Sequence, residues 1–162
     1  MWIDLEGGDV VRVLLPKFPV QIDDPDIPFV LLDQGQQRIY VAQSGLIGAD
    51  GTDSNGERPL FSSERTSYVL DQDELEVVLR ADVAGNPVKK IFRFRADDYL
   101  VDVEYRVVNN KTSPFEAGMF AQIKRDRLPP TLQESFFLAP QPFYGGATTT
   151  LENRYEKLEF GD

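Results

Sequence analysis

The sequence predicts an all-β fold, a sandwich of short antiparallel strands, and three observations carry that prediction. Apolar residues recur with period two along most of the chain, most clearly between residues 88 and 108. Clusters of Gly, Pro, Asn and Asp interrupt the pattern at short intervals. No stretch carries the periodicity of a long helix, and no internal repeat is visible, so many short strands must bury one face each against another sheet.

Ile3 and Leu5 alternate with polar neighbours and run into Gly7-Gly8, a turn or bulge signal. Val10 to Leu15 is an apolar run that Pro16 and Pro19 are expected to stop. Asp23-Asp24-Pro25-Asp26-Ile27-Pro28 reads as a loop, because its prolines lack donors and its acids repel one another. Phe29–Leu32 and Arg38–Ala42 read as strands on either side of Gln34-Gly35-Gln36. Gly45 to Pro59 is poor in apolar residues and reads as a long surface loop.

Leu60-Phe61 and Ser67–Leu70 are expected strand fragments, followed by a polar turn at Asp71–Glu74 and a strand from Leu75 to Arg80. Gly85-Asn86-Pro87 is the next expected turn. In the strand after it, Phe92 and Phe94 share one face, with Ile91, Arg93 and Arg95 on the other. Ala96-Asp97-Asp98 turns the chain, and Tyr99, Val101, Val103, Tyr105 and Val107 then oppose Asp102, Glu104 and Arg106. Strict alternation of this kind marks antiparallel strands with one wet side. A strand at Phe115–Lys124 and a strand or ragged end within Arg154–Phe160 complete the reading, with Gly145-Gly146-Ala147 as a turn.

The 162 residues suffice for one domain with its own core, and 41% hydrophobic content beside 27% charge excludes a disordered chain. The net charge of −10 repels phosphate backbones, so no nucleic-acid partner is expected. The one short basic run, Lys124-Arg125-Asp126-Arg127, reads as a solvated strand end. Cysteine and histidine are both absent. That removes disulfides, thiol nucleophiles, imidazole bases and the usual zinc ligands. No window approaches 18 consecutive apolar residues, so a soluble segment is expected. The chain opens directly in strand-like sequence without a signal-peptide pattern, which suggests a piece of a longer protein.

Carboxylates are the catalytic vocabulary left. Asp50-Gly51-Thr52-Asp53-Ser54-Asn55-Gly56-Glu57 invites a calcium reading, but no register places oxygen ligands as an EF-hand requires, and a solvated loop is favoured. Asp102 and Glu104 lie two apart on one strand face, about 7 Å at strand rise, a separation that suits a glycosidase pair. A wet face balanced by Arg93, Arg95 and Arg106 is the preferred reading. No catalytic, metal or cofactor site is therefore expected. Phe136, Phe137, Phe143 and Tyr144, set among prolines and glycines, form the candidate partner surface, with core capping as the alternative.

Several strings carry a family resemblance. Glu6-Gly7-Gly8-Asp9-Val10, Leu14-Leu15-Pro16 and Tyr40-Val41-Ala42-Gln43-Ser44-Gly45-Leu46 stand in that order. Gly48-Ala49-Asp50-Gly51, Arg58-Pro59-Leu60-Phe61, Ala84-Gly85-Asn86, Val108-Asn109-Asn110, Leu128-Pro129-Pro130 and Tyr155-Glu156-Lys157 follow. Their order and spacing along essentially the whole chain resemble the large periplasmic domain of YidC-type membrane-protein insertases. The resemblance implies an antiparallel β-supersandwich of galactose-mutarotase-like shape, on the periplasmic face of the bacterial inner membrane. Residues 1–162 would be a single domain lacking the family domain's C-terminal part and all membrane helices, so no insertase groove residue maps to any position here.

The implied function is that of a non-catalytic accessory domain, with Sec translocon accessory subunits and nascent membrane proteins as partners. A carbohydrate-binding or carbohydrate-active sandwich is the alternative that the implied fold suggests. An incomplete sandwich would also leave an unpaired edge or an apolar face and tend to self-associate.

Overall fold

The computed structural model describes residues 1–36, 38–54, 56–128, 143 and 145–160. The chain divides into two compact units, Met1–Arg125 and Asp126–Asp162. Among the described residues every regular element is a strand.

In the first unit the strands are β1 (Trp2–Ile3), β2 (Val10–Gln21), β3 (Asp24–Gln34), β4 (Ile39–Ile47), β5 (Ser62–Ser63), β6 (Glu74–Val83), β7 (Asn86–Arg95), β8 (Val101–Val107) and β9 (Gly118–Arg125). They form a five-stranded sheet in the order β1-β2-β3-β4-β9 and a four-stranded sheet in the order β5-β6-β7-β8. All pairings are antiparallel, and side chains from β7 and β8 reach β4 across the layers. The all-β sandwich read from the sequence is the architecture observed.

The second sheet follows from its alternation. On the inward face, register aligns Val77, Phe92 and Val103 in one row and Ala81, Val88 and Val107 in another. Val77, Leu79, Val88 and Phe92 are buried there with Phe61, and Ile3, Val10, Tyr68 and Tyr105 pack against them. The outward face carries ion pairs. Arg93 bridges Glu76 and Glu104 at 3.1 and 2.6 Å, and Arg95 meets Asp102 at 2.6 Å. This is the balanced wet face expected, with Ile91 buried among its charges.

Ala84 and Gly85 form the two-residue link between β6 and β7, with φ of 51° and 81°. Two successive left-handed residues match the twist of the strands they join. The turn thus lies one residue earlier than expected: Asn86 opens β7, is buried, and accepts a hydrogen bond from the Asn110 amide at 3.0 Å.

Five other expectations are corrected. Pro16 and Pro19 do not stop β2, and the acidic segment expected as a loop is the first part of β3. The two strands pair in an irregular register, Pro19 opposite Pro28, with shifts between Leu15 and Pro19 and between Pro19 and Gln21. Prolines are tolerated because this hairpin pairs with nothing else past Arg12 and ahead of Leu32 among the described residues, so the missing donors interrupt no further ladder.

β4 continues through Gly45–Ile47, and the rest of the expected surface loop buries Gly51 and Thr52. Ser67–Leu70 is not a strand; Tyr68 instead accepts a hydrogen bond from the Arg65 amide at 3.2 Å. In the second unit, β10 (Gly145–Thr148) pairs with β11 (Glu156–Glu159), so Gly145 and Gly146 are strand residues rather than a turn.

Candidate functional site

The interior of the first unit holds a cluster of charged residues. Gly7 and Gly8 both take left-handed backbone, φ 75° and 62°, which only glycine adopts freely. This double turn carries the chain inward, buries Asp9 and aims the Gly7 carbonyl at the core. The Arg58 guanidinium bridges two carboxylates, Asp9 through Nη2 and Asp53 through Nη1. Its Nη2 also donates to the Ser44 carbonyl at 3.2 Å. The group lies 5.7 Å from the Phe120 ring centroid.

The remaining acceptor positions are filled. Asp9 Oδ2 accepts from Gln43 Nε2 at 2.6 Å. Asp53 Oδ2 accepts from the Thr52 hydroxyl at 2.6 Å and from the Leu46 amide at 3.1 Å. The segment between β4 and β5 is thereby folded back onto the strand it leaves, and Arg58 at its end is the tie. Arg58 Nε is buried and makes no hydrogen bond among the described residues.

Lys90 is the second cation. It stands on the inward face of β7, in register with Leu79 and Tyr105, and is 1% exposed. Its Nζ donates to the Gly7 and Ser44 carbonyls at 3.0 and 3.1 Å and lies 5.5 and 5.3 Å from the Phe92 and Tyr105 rings. Burial lowers its pKa to about 8, against the opposing pull of Asp9. Burial also raises Tyr105 to about 12, while its hydroxyl shares a 3.3 Å hydrogen bond with Ser44.

A lysine near neutrality is a general-base candidate by chemistry. Here its protons are committed to main-chain carbonyls in a closed interior, so the arrangement is a strut between sheets. Sequence reasoning missed it, although the alternation of β7 put Lys90 on the face of Phe92 and Phe94. Asp9 and Arg58 lay within strings already singled out, but nothing local marked them as partners.

The carboxylates read as candidate chemistry are held by cations. Asp50 pairs with Lys111 at 2.6 Å and accepts from the Glu116 amide; the lysine hydrogen bond foremost, then the amide, lowers its pKa. Glu104 is pulled down to about 2 by hydrogen bonds from Arg106 and Arg93 and stays ionised, unsuited to the acid role in glycoside cleavage. Of the candidate partner surface, Phe143 is exposed and carries Lys157 Nζ 4.8 Å from its ring centroid. Phe136, Phe137 and Tyr144 lie outside the described residues.

Between the sheets lies a cleft of about 360 Å³, lined by Val10, Ala42, Phe92, Val103, Met119 and Ile123 among others. Met119 and Ile123, on edge strand β9, are exposed. No helix among the described residues is long and apolar enough to cross a membrane.

The family model described as the YidC periplasmic domain matches residues 1–162. The chain belongs to that family. Curated relatives, each named membrane protein insertase YidC, agree with it. The Cellvibrio japonicus protein is 42% identical over 96% of this chain and 28% of its own length. The Alcanivorax borkumensis protein is 41% identical over 96% and 28%, and the Azotobacter vinelandii protein 39% over 99% and 29%. The chain therefore spans less than a third of the relatives it matches. Membership in the YidC periplasmic domain family places it on the periplasmic face of the inner membrane.

Proposed function

We propose that this YidC periplasmic domain segment is a non-catalytic accessory and interaction part of a membrane-protein insertase, acting alone or beside Sec translocon accessory subunits on nascent membrane proteins. The observation that carries the reading is the family match along the whole chain, residues 1–162. Two physical features support it. The interior ionisable groups are spent on main-chain carbonyls and on one another. The cleft between the sheets is lined mostly by apolar side chains, which suits a protein segment better than a sugar, whose hydroxyls need convergent polar partners. Residues 1–162 are read as one periplasmic domain contributing to this role.

The test is site-specific photo-crosslinking in the full-length protein in native membranes, with the probe placed in turn at Phe136, Phe137, Phe143 and Tyr144. Crosslinks to translocon subunits or to a nascent chain are expected. Silence at all four positions, with insertion intact, would remove this surface from the reading. Saturable quenching of Trp2 by added sugars would move the carbohydrate alternative to first place.

A further inference from the structure

The hairpin of β2 and β3 leaves the sheet as an arm. Past Arg12 and ahead of Leu32 its strands pair only with each other among the described residues. From Pro16 to Leu31 every residue except Pro28 is exposed, and that stretch includes Phe18, Val20, Ile22, Ile27 and Phe29. Ile22, at the tip, is 95% exposed. Near the arm's base Phe18 meets the Tyr99 ring at 6.0 Å and Lys17 meets Asp97 at 3.6 Å.

Two further features define what such an arm could hold. Pro16, Pro19, Pro25 and Pro28 deprive both strands of donors, so an added strand would find an incomplete ladder and contact must run through side chains. Asp23, Asp24 and Asp26 surround the tip, and none pairs with a cation among the described residues; Lys17, the one base in the arm, is already engaged. Acids beside exposed isoleucines repel an anionic lipid surface and complement a cationic, apolar one.

We propose that the β2–β3 arm docks a protein segment that combines apolar side chains with lysine or arginine. The proposal rests on the reading of the chain as an interaction domain and names the arm as one of its contact elements. Its failure would leave the crosslinking test at residues 136–144 untouched.

The test measures fluorescence anisotropy of a labelled peptide of alternating Leu and Lys against the intact chain, with Leu/Glu and Leu/Ser peptides beside it. Only the Leu/Lys peptide should bind. Ile22→Ser with Ile27→Ser should weaken it about tenfold, and Asp23→Asn with Asp24→Asn and Asp26→Asn comparably. Both isoleucines are surface residues, so the fold should survive, with near-ultraviolet circular dichroism as the check. Asp71→Asn with Asp73→Asn, which removes charge elsewhere, should change binding less than about twofold if the arm and not net charge is the cause. Equal binding by the arm variants, equal binding of Leu/Glu, or preference for phosphatidylglycerol vesicles over the peptide would each overturn the proposal.

Discussion

Arg58 and Lys90 donate to the same two main-chain carbonyls, those of Gly7 and Ser44. Arg58 reaches them at 3.4 and 3.2 Å and Lys90 at 3.0 and 3.1 Å. Two cations thus converge on one pair of oxygens, and the repulsion between them is met by Asp9 and Asp53. The double glycine turn, β4, the segment ending at Arg58 and β7 are joined at this single point.

Removing Arg58 should therefore cost more than an ordinary ion pair. Arg58→Met leaves two buried carboxylates without their bridge, and a loss of about 3–5 kcal/mol is expected in urea unfolding. Arg58→Lys keeps the charge but cannot span both acids, and should lie between the variant and the parent.

Stability should depend on pH through the same cluster. With Lys90 lowered to about 8, the unfolded chain holds that proton more tightly between about pH 8 and 10.5, so stability rises with pH across this window. The full rise from this group is about 3 kcal/mol. Tyr105, raised to about 12, acts the other way: its unfolded form ionises first, and stability falls above about pH 10. A maximum near pH 10 is expected in chemical denaturation, and Lys90→Met should flatten the rise that precedes it.

Two of the glycines with positive φ, Gly8 and Gly56, separate backbone cost from packing cost. A Cβ on Gly8 would lie 2.8 Å from Lys90 Cδ and 3.1 Å from Leu79 Cδ1, whereas one on Gly56 meets nothing within 4 Å. Gly56→Ala should lose about 1 kcal/mol from backbone strain alone. Gly8→Ala should lose about 2–4 kcal/mol, because it displaces the lysine as well. Paired thermal melts would show whether the difference exists.

Phe92 is 1% exposed and joins the row of Val77 and Val103. Phe92→Ala should cost about 3–5 kcal/mol by leaving a cavity. Ile22→Ala, at the tip of the arm, should change unfolding by less than about 0.5 kcal/mol, so the pair calibrates core against surface in one denaturation series.

The second sheet was legible in the sequence because period-two patterning and turn chemistry agree there. Phe92 and Phe94 opposite Arg93 and Arg95 could fold in one way only, and Val101 to Val107 answered them residue by residue. The first sheet was less legible. Pro16, Pro19, Pro25 and Pro28 argue against strands wherever a full ladder is assumed, and sequence cannot say that a hairpin stands outside one.

The interior cluster was hidden for another reason. Asp53 and Arg58 sit in a segment whose composition is that of a solvated loop, and their burial follows from Asp9, Ser44 and Lys90, each brought in by tertiary structure. The candidate aromatic surface was a compositional reading; of its four members Phe143 is exposed, and the others lie outside the described residues.

The pairing of β4 with β9 has a consequence in time. Gln122 hydrogen-bonds Gln43, 79 positions earlier, whereas β6, β7 and β8 meet their partners across short turns. A chain delivered N-terminus first presents β1 to β4 long before β9 arrives. The meander of the second sheet can close at once, since its contacts are local, and it covers Ile3 and Val10, while the edge of β4 waits unpaired for β9. Completion of the first sheet is thus a race between the arrival of β9 and the pairing of the open β4 edge with something else.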